Sequence, residues 1–303
     1  MSKFTEFVKR SMKIYFRDRS AIFFSLMTML IVIGLMILFL GDMNINVITK
    51  LLGAFPGRDA AADEENAKLL ILMWTCAGII PVNAITVAVS ALSPMIKDKT
   101  DGRINSICTA PVSRFTITSG YVASTCICSV IICIITLVLS EIYCVIQGAE
   151  AFSAVTHLKL IGMIAANSFT CSALMYLLSA AAKTEGAWSS IGTVIGTLVG
   201  FAGGIYLPIG TLSDAVGSVL KCTPMIYSAA MFRQIMTEDI LQKTFDGTSD
   251  ALISEYSSEM GITLDLFDSQ ISAGNCVSIV LASGIVFLLI GAVVTSLSKR
   301  TDR

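Results

Sequence analysis

The chain has 303 residues, of which 54% are apolar and only 14% are charged, and its formal net charge is −1. Soluble globular domains carry about 25% charged residues. The composition therefore excludes a disordered chain, a nucleic-acid binder with a basic face and an ordinary cytosolic enzyme. A mean hydropathy of +0.78 favours a membrane protein that crosses the bilayer several times.

Apolar runs long enough to cross a bilayer recur along the chain. A helix needs about 20 consecutive apolar residues to cross a hydrocarbon core of about 30 Å. We predict spans at residues 21–41, 69–96, 119–146, 160–182, 187–205 and 273–298. The predicted fold is an all-α membrane protein with six transmembrane helices.

The charges separate onto two sides once these spans are placed. With the N-terminus inside, the inside segments carry 14 Lys or Arg and 6 acids, whereas the outside segments carry 7 and 15. The inside is thus +8 and the outside −8, and Glu141 within the third span supplies the remaining charge. Because cytosolic loops are rich in Lys and Arg, we expect both termini in the cytoplasm.

The first twenty residues form a segment of their own. Between residues 3 and 18, apolar side chains recur at helical spacing opposite a charged face. This pattern is typical of a basic amphipathic helix on the inner membrane surface, although a short solvated arm would also fit. We divide the chain into an interfacial helix at 1–20 and a single transmembrane domain at 21–303.

The most organised cytosolic loop follows the second span, at residues 97–118. Ile104 and Ile107 lie one helical turn apart, and Pro111 ends any helix there. The loop therefore predicts a helix of about two turns with a small apolar face, suited to docking into a cleft of another protein. The alternative is a simple connector.

The long outer segment at 206–272 carries nine acids and two prolines, Pro208 and Pro224. Its apolar stretches are too short to span the membrane alone, so we predict re-entrant or surface-lying helices before the last span. The second half is acidic, and we expect a helix around residues 250–260.

Several common catalytic motifs are missing from the sequence. No Lys-Thr pair follows the glycine pattern of a phosphate-binding loop, so the chain lacks the usual ATPase site. The single histidine, His157, excludes an H-E-x-x-H zinc motif, and there is no G-x-S-x-G elbow. Most of the nine cysteines lie in apolar runs, where thiols behave as small apolar groups. We expect no metal site and no catalytic residue.

Two further sets of residues are candidates for function. Small residues at four-residue spacing let another helix approach closely, either from the same chain or from a second subunit. In the fifth span these are Gly192, Gly196, Gly200 and Gly204. Polar residues within spans are functional candidates, and we predict a translocation path along Asn83, Glu141 and Asn167. Bonds across helices are the alternative for the two asparagines. For Glu141, which is near the outer end of its span, the alternative is a carboxylate that snorkels to the membrane surface or pairs with a loop.

The layout and motifs resemble those of the type-2 ABC transporter permeases, the membrane subunits of ABC exporters. That family has an acid, a glycine and a Pro-x-Ser-Arg pattern in its first inside loop, and two proline marks in its outer segment. The matching residues are Asp98, Gly102, Pro111, Ser113 and Arg114 in the loop, and Pro208, Pro224, Tyr227 and Arg233 in the outer segment. The acidic stretch 237–272 lies outside the resemblance.

The resemblance implies a pump made of two permeases and two ATP-binding subunits. The loop would be the coupling helix that transmits ATP-driven closure to the spans. Its residues would be Asp98, Gly102, Arg103, Ile104, Ile107, Pro111, Ser113 and Arg114. The chain itself would bind no cofactor, because ATP and Mg²⁺ would be held by the partner subunit.

The resemblance thus predicts the permease subunit of a prokaryotic ABC exporter whose cargo is an amphipathic drug, peptide or lipid. Its partners would be an ATP-binding subunit, a second permease in a homo- or heterodimer, and the lipid bilayer, with no nucleic acid. One alternative is a non-transporting scaffold, such as an immunity or sensor component. The other is an ion-driven secondary transporter with Glu141 as its proton site, although the sequence shows no inverted repeat of the kind common in such transporters.

Overall fold

Helices make up nearly all of the structure. The computed structural model describes residues 3–35, 41–103, 114–204, 208–266 and 269–297. Within these ranges the helices are α1 (Lys3–Arg17), α2 (Arg19–Leu35), α3 (Gly41–Leu52), α4 (Ala60–Thr100), α5 (Arg114–Ile146), α6 (Ala154–Ser179), α7 (Glu185–Ala202), α8 (Asp214–Lys221), α9 (Pro224–Thr244), α10 (Asp250–Glu259) and α11 (Ala273–Leu297). A 3₁₀ helix at Ile209–Thr211 and an antiparallel hairpin of β1 (Asp265–Leu266) and β2 (Ser269–Gln270) complete the described elements.

Helix α4 is the centre of the molecule. It has 41 residues, which at 1.5 Å per residue is about 60 Å, or about twice the thickness of a hydrocarbon core. It packs against α1, α2, α3, α5, α6, α7 and α9. Of its apolar window, 89% is buried. Pro81 and Pro94 lie inside the helix without ending it.

Helix α11 lies along α6 at the periphery of the bundle. A Cβ at Gly284 would lie 2.8 Å from the Phe169 ring, and one at Gly291 would lie 3.0 Å from the Tyr176 ring. The two glycines therefore allow a close, parallel approach of α11 and α6. Only 17% of the apolar window of α11 is buried, so most of this helix faces away from the protein.

The beginning of α4 is fixed to the end of α9 by Arg58. Its guanidinium donates two hydrogen bonds to Asp63, at 2.7 and 2.9 Å. It also donates to the backbone oxygens of Thr244, at 2.7 Å, and Asp246. The hydrogen bond with Asp63 raises the pKa of Arg58. Helices α4 and α9 thus run antiparallel, with the start of one beside the end of the other.

Four helices in the described ranges are long and apolar enough to cross a membrane. They are α4, Thr116–Ile146 of α5, α6 and Ala273–Thr295 of α11, and they overlap the second, third, fourth and sixth predicted spans. Helices α8 and α9 meet at an angle of 86° and would be a fifth span if they form one broken segment. The helix predicted around residues 250–260 is confirmed as α10.

The other two predicted spans are not among these candidate helices. Helix α2 covers the first only to Leu35, and residues 36–40 lie outside the described residues. Helix α7, with 18 residues, covers the fifth as far as Ala202 and is not among the candidate membrane spans. The count of six spans therefore stays a prediction. Helix α3 was not predicted from the sequence. It packs against α4 through the buried Ile48 and Leu52.

Candidate coupling site

The predicted coupling loop starts at the end of α4. Asp98 lies in the last turn of this helix, and Gly102 follows with a left-handed φ of +72°. Arg114 begins α5. The other predicted loop residues, Ile104, Ile107, Pro111 and Ser113, lie outside the described residues. The two-turn helix expected for them stays a prediction.

Asp98 is held by arginines from two segments. Its side chain is only 6% exposed, and Arg10 Nη2 donates to Asp98 Oδ2 at 2.8 Å. Arg103 Nη1 lies 3.9 Å from Asp98 Oδ1, and Arg103 also approaches Asp101 at 3.6 Å. A carboxylate removed from water needs such partners to stay charged. The Arg10–Asp98 pair joins α1 to the end of α4 and was not apparent in the sequence.

Aromatic contacts join α1 to the start of α5 as well. The rings of Phe7 and Tyr121 meet edge to face with centroids 4.7 Å apart, an arrangement worth about 0.5–1.5 kcal/mol beyond burial. A Cβ at Gly120 would lie 2.7 Å from Phe7 Cδ1, so the close approach requires glycine there. The predicted N-terminal helix is confirmed, and at Val8 and Tyr15 its apolar face is buried against the protein.

The connection between α6 and α7 reaches the same end of the molecule. Lys99 Nζ donates to the backbone oxygen of Ala182 at 3.0 Å. Thr184, two residues further on, caps the start of α7. A displacement of the last turn of α4 would therefore act on α1, on α5 and on the α6–α7 connection together.

Glu141 is paired with residues of the following connection. His157 Nε2 lies 2.8 Å from Glu141 Oε2, and the Phe152 amide donates to Oε1 at 2.9 Å. The carboxylate thus holds the α5–α6 loop. Pairing with a loop was one of the alternatives that the sequence left open for Glu141. His157, which the sequence left without a role, is its charged partner when protonated.

The two predicted pore asparagines bond between or within helices. Asn83 Nδ2 donates to Thr136 Oγ1 at 2.6 Å and so joins α4 to α5. Asn167 Oδ1 accepts from Cys171 Sγ at 3.6 Å, and its Nδ2 has no partner among the described residues. Both side chains are buried. Among the described residues no hydrogen bond joins them to each other or to Glu141, and the translocation path stays a prediction.

The four glycines of the fifth span differ in surroundings. A Cβ at Gly192 would lie 2.9 Å from Val89 Cγ1, so this glycine packs against α4, whereas Gly196 has open space around it. Gly200 is buried. Gly204 corrects the predicted face, because α7 ends at Ala202 and Gly204 lies beyond it with a left-handed φ of +62°.

The proline marks of the outer segment fall at breaks between helices. Pro208 caps the 3₁₀ helix, and Pro224 is the first residue of α9, where its missing N–H costs no helical bond. Tyr227 OH donates to the backbone oxygen of Lys221 at 2.8 Å. This bond bridges the bend between α8 and α9.

Arg233 is buried at the junction of three helices. Its guanidinium lies 4.1 Å from the centroid of the Trp74 ring, a cation–π contact. Arg233 Nη2 donates to the backbone oxygens of Gly203 and Gly204, at 3.0 and 2.8 Å, at the end of α7. Trp74 Nε1 in turn donates to Met260 O at 2.8 Å. No carboxylate within the described ranges pairs with Arg233, so the end of α7, where a cation is favourable, takes that place.

The long apolar helices are typical of a multi-pass helical membrane protein. Residues 62–298 match the sequence profile described as ABC-2 family transporter protein. No curated protein matches the chain. Because the profile covers more than half of the chain, the chain belongs to the ABC-2 transporter family, and the resemblance noted in the sequence is confirmed. The family's proteins are the membrane components of ABC transporters and associate with an ABC ATP-binding subunit.

Proposed function

We propose that this chain is the permease subunit of an ABC exporter in a prokaryotic plasma membrane, with both termini in the cytoplasm. A separate subunit binds and hydrolyses ATP with Mg²⁺. The permease couples that hydrolysis to efflux of an amphipathic drug, peptide or lipid. Membership of the ABC-2 family supports this function, and the +8 and −8 charge distribution supports the orientation.

The single observation that carries the proposal is the set of contacts around Asp98. The loop that follows it is exposed at Arg103, and the helices on its two sides are joined through α1. An ATP-binding subunit that pushes on this loop therefore moves α1, α4 and α5 as a unit. The contact from Lys99 carries the same movement to the α6–α7 connection.

In the proposed assembly, two permeases associate and each crosses the membrane six times. The bent α8–α9 pair is the re-entrant segment on the outer side. Gly196, which has open space around it, is the part of the glycine series available to a second subunit. Gly192 packs within the chain.

Neither alternative function gains support from the described contacts. A secondary transporter would use Glu141 to bind and release protons, yet this carboxylate is held by His157 and the Phe152 amide. No described contact favours a non-transporting scaffold. A measurement of flux in liposomes distinguishes a scaffold from a permease.

The test is to purify the chain with its ATP-binding subunit and reconstitute the complex in liposomes. The proposal expects Mg-ATP hydrolysis and ATP-dependent flux of at least one amphipathic compound from a panel of drugs, peptides and labelled lipids. A complex that hydrolyses ATP without moving any compound would favour the scaffold. Failure of every ATP-binding subunit of the cell to associate would overturn the proposal.

A further inference from the structure

A large cavity lies away from the coupling site, between α6, α9, α10 and α11. Its volume is about 1060 Å³, at the upper end of the ~300–1,000 Å³ typical of small-molecule sites. Nothing described so far uses it. Its walls combine apolar side chains with the charged side chains of Lys159 and Glu238 and the amides of Gln234 and Gln242.

The charged groups lie near the helix ends, whereas Gln234 lies deeper along α9 and donates to Ile262 O. Lys159 is within about two turns of the start of α6, and Glu238 and Gln242 are within about two turns of the end of α9. Because α6 runs parallel to α4 and α9 runs antiparallel to it, these ends share one face of the molecule. Phe169 is ten residues further along α6 than Lys159, about 15 Å deeper, and Leu281 lies beside it on α11. We call the end with Lys159, Glu238 and Gln242 the mouth of the cavity, and the deeper part lined by Phe169 and Leu281 its floor.

The mouth carries one charge of each sign. Lys159 on α6 and Glu238 on α9 both line the cavity and are exposed. Neither forms an ion pair with any residue that the structure describes. A head group that carries both a phosphate and an ammonium complements this pair, with the phosphate at Lys159 and the ammonium at Glu238.

The floor continues into the surface that faces the bilayer. Leu281 lines the cavity and is 38% exposed. Ile285, Val286 and Leu289 extend the same exposed apolar side of α11. In a chain that spans a membrane, acyl chains cover such a surface, so a lipid reaches the cavity sideways without leaving the bilayer.

We propose that this cavity is a binding site for a zwitterionic phospholipid. One acyl chain lies along Phe169 and Leu281, and the head group lies between Lys159 and Glu238. With both termini in the cytoplasm, as proposed above, the mouth of the cavity lies in the outer leaflet. Binding itself requires only that the chain spans a bilayer, so it does not depend on an ATP-binding subunit.

The test places the full chain in nanodiscs of phosphatidylethanolamine and phosphatidylglycerol in equal amounts. Each lipid in turn carries a photoactivatable acyl chain, and labelling is located by peptide mass spectrometry. The proposal expects labelling of peptides from α6 and α11 that line the cavity, with phosphatidylethanolamine preferred.

Two glycines allow the cavity to be filled without disturbing the fold. Gly162 and Gly274 line it, and a Cβ at either has open space. We expect Gly162→Phe and Gly274→Phe to lower labelling about tenfold, equivalent to about 1.4 kcal/mol. Gly34→Phe on α2, which also has open space but lies outside the cavity, is the matched control. Labelling equal to that of the control in both cavity variants would overturn the proposal.

The head-group contact has its own matched pair. Glu238→Lys makes the mouth wholly cationic and should shift the preference toward phosphatidylglycerol. Asp239→Lys changes the net charge equally at an exposed neighbour that does not line the cavity, and should leave the preference unchanged. An unchanged preference in Glu238→Lys would contradict the assigned head group. If the unmodified chain shows no labelling of the α6 and α11 peptides while ATP-driven flux is intact, this site is rejected and the exporter function stands.

Discussion

Asp98 is a buried carboxylate in the last turn of a long helix, at the point where a cation is expected rather than an acid. Its stability there depends on Arg10, which comes from the beginning of the chain. The residues around it have separable roles. Arg10 neutralises the charge, Phe7 and Tyr121 provide the apolar contact, and Gly120 provides the space.

Arg10→Gln and Asp98→Asn should be less than additive in their effect on stability. Residues in direct contact typically show an interaction energy of about 0.5–3 kcal/mol in a double-mutant cycle, and the partial exposure of Arg10 places this pair in the lower half of that range. Thermal unfolding of the four proteins in detergent measures the cycle. Asp101→Asn, at an exposed neighbour, is the control, and full additivity of the pair would contradict the contact.

Gly261 and Gly247 form a matched pair for testing the packing around Arg233. Both have a left-handed φ, +62° and +74°, so alanine is strained at either by about 1 kcal/mol. Only at Gly261 would the new Cβ meet other atoms, those of Ile209 and Arg233. Gly261→Ala should therefore lower the Tm by several degrees more than Gly247→Ala. Equal Tm values would show that the junction is looser than described.

At the scale of elements, the feature that organises the molecule is the length of α4. Because the helix is about twice as long as a hydrocarbon core is thick, its two ends contact different helices. Arg58 holds its first turn to the end of α9, and Asp98 holds its last turn to α1. Helix α7 then packs on its side through Trp188, whose Nε1 donates to Val89 O at 3.1 Å.

Gly192 and Gly196 separate packing within the chain from packing between subunits. Gly192→Leu forces a side chain into Val89, and overpacking of this kind costs about 1–3 kcal/mol, so the Tm of the purified chain should fall. Gly196→Leu has room and should leave the Tm unchanged while weakening the proposed permease dimer, as seen by mass photometry in nanodiscs. A stable dimer in Gly196→Leu would remove this face from the subunit interface.

At the scale of the whole molecule, the apolar runs were sufficient to predict α4, α5, α6 and α11, because long uncharged stretches have few alternatives to a helix. The amphipathic pattern of α1 was equally direct. The partners of Asp98 and Arg233 were not predictable, since Arg10 is far from Asp98 in sequence and Arg233 binds backbone oxygens. For Glu141 the sequence offered pairing with the following loop, but it did not identify His157 or the Phe152 amide as the partners. Helix α3 was missed because its polar residues hid a short buried face.

Glu141→Gln tests whether the whole molecule works as an ion-driven carrier. We expect ATP-dependent flux within about twofold of the wild type, because the carboxylate holds a loop rather than a transported proton, and a lower Tm because the pair with His157 is lost. Flux and Tm are measured on the same preparation, with Glu150→Gln, an exposed acid in the same loop, as control. If flux is abolished in Glu141→Gln but not in Glu150→Gln, the result would support Glu141 as the proton site of an ion-driven transporter.

We propose that the end of α4 couples ATP hydrolysis to transport, and this predicts less flux per ATP when its contact with α1 is lost. ATP hydrolysis and substrate flux are recorded together in liposomes that contain the ATP-binding subunit with either wild-type chain or Asp98→Asn. We predict that the variant still binds the subunit and hydrolyses ATP, but moves several-fold less substrate per ATP, because α1 no longer follows α4. A ratio of flux to hydrolysis equal to that of the wild type would contradict the account.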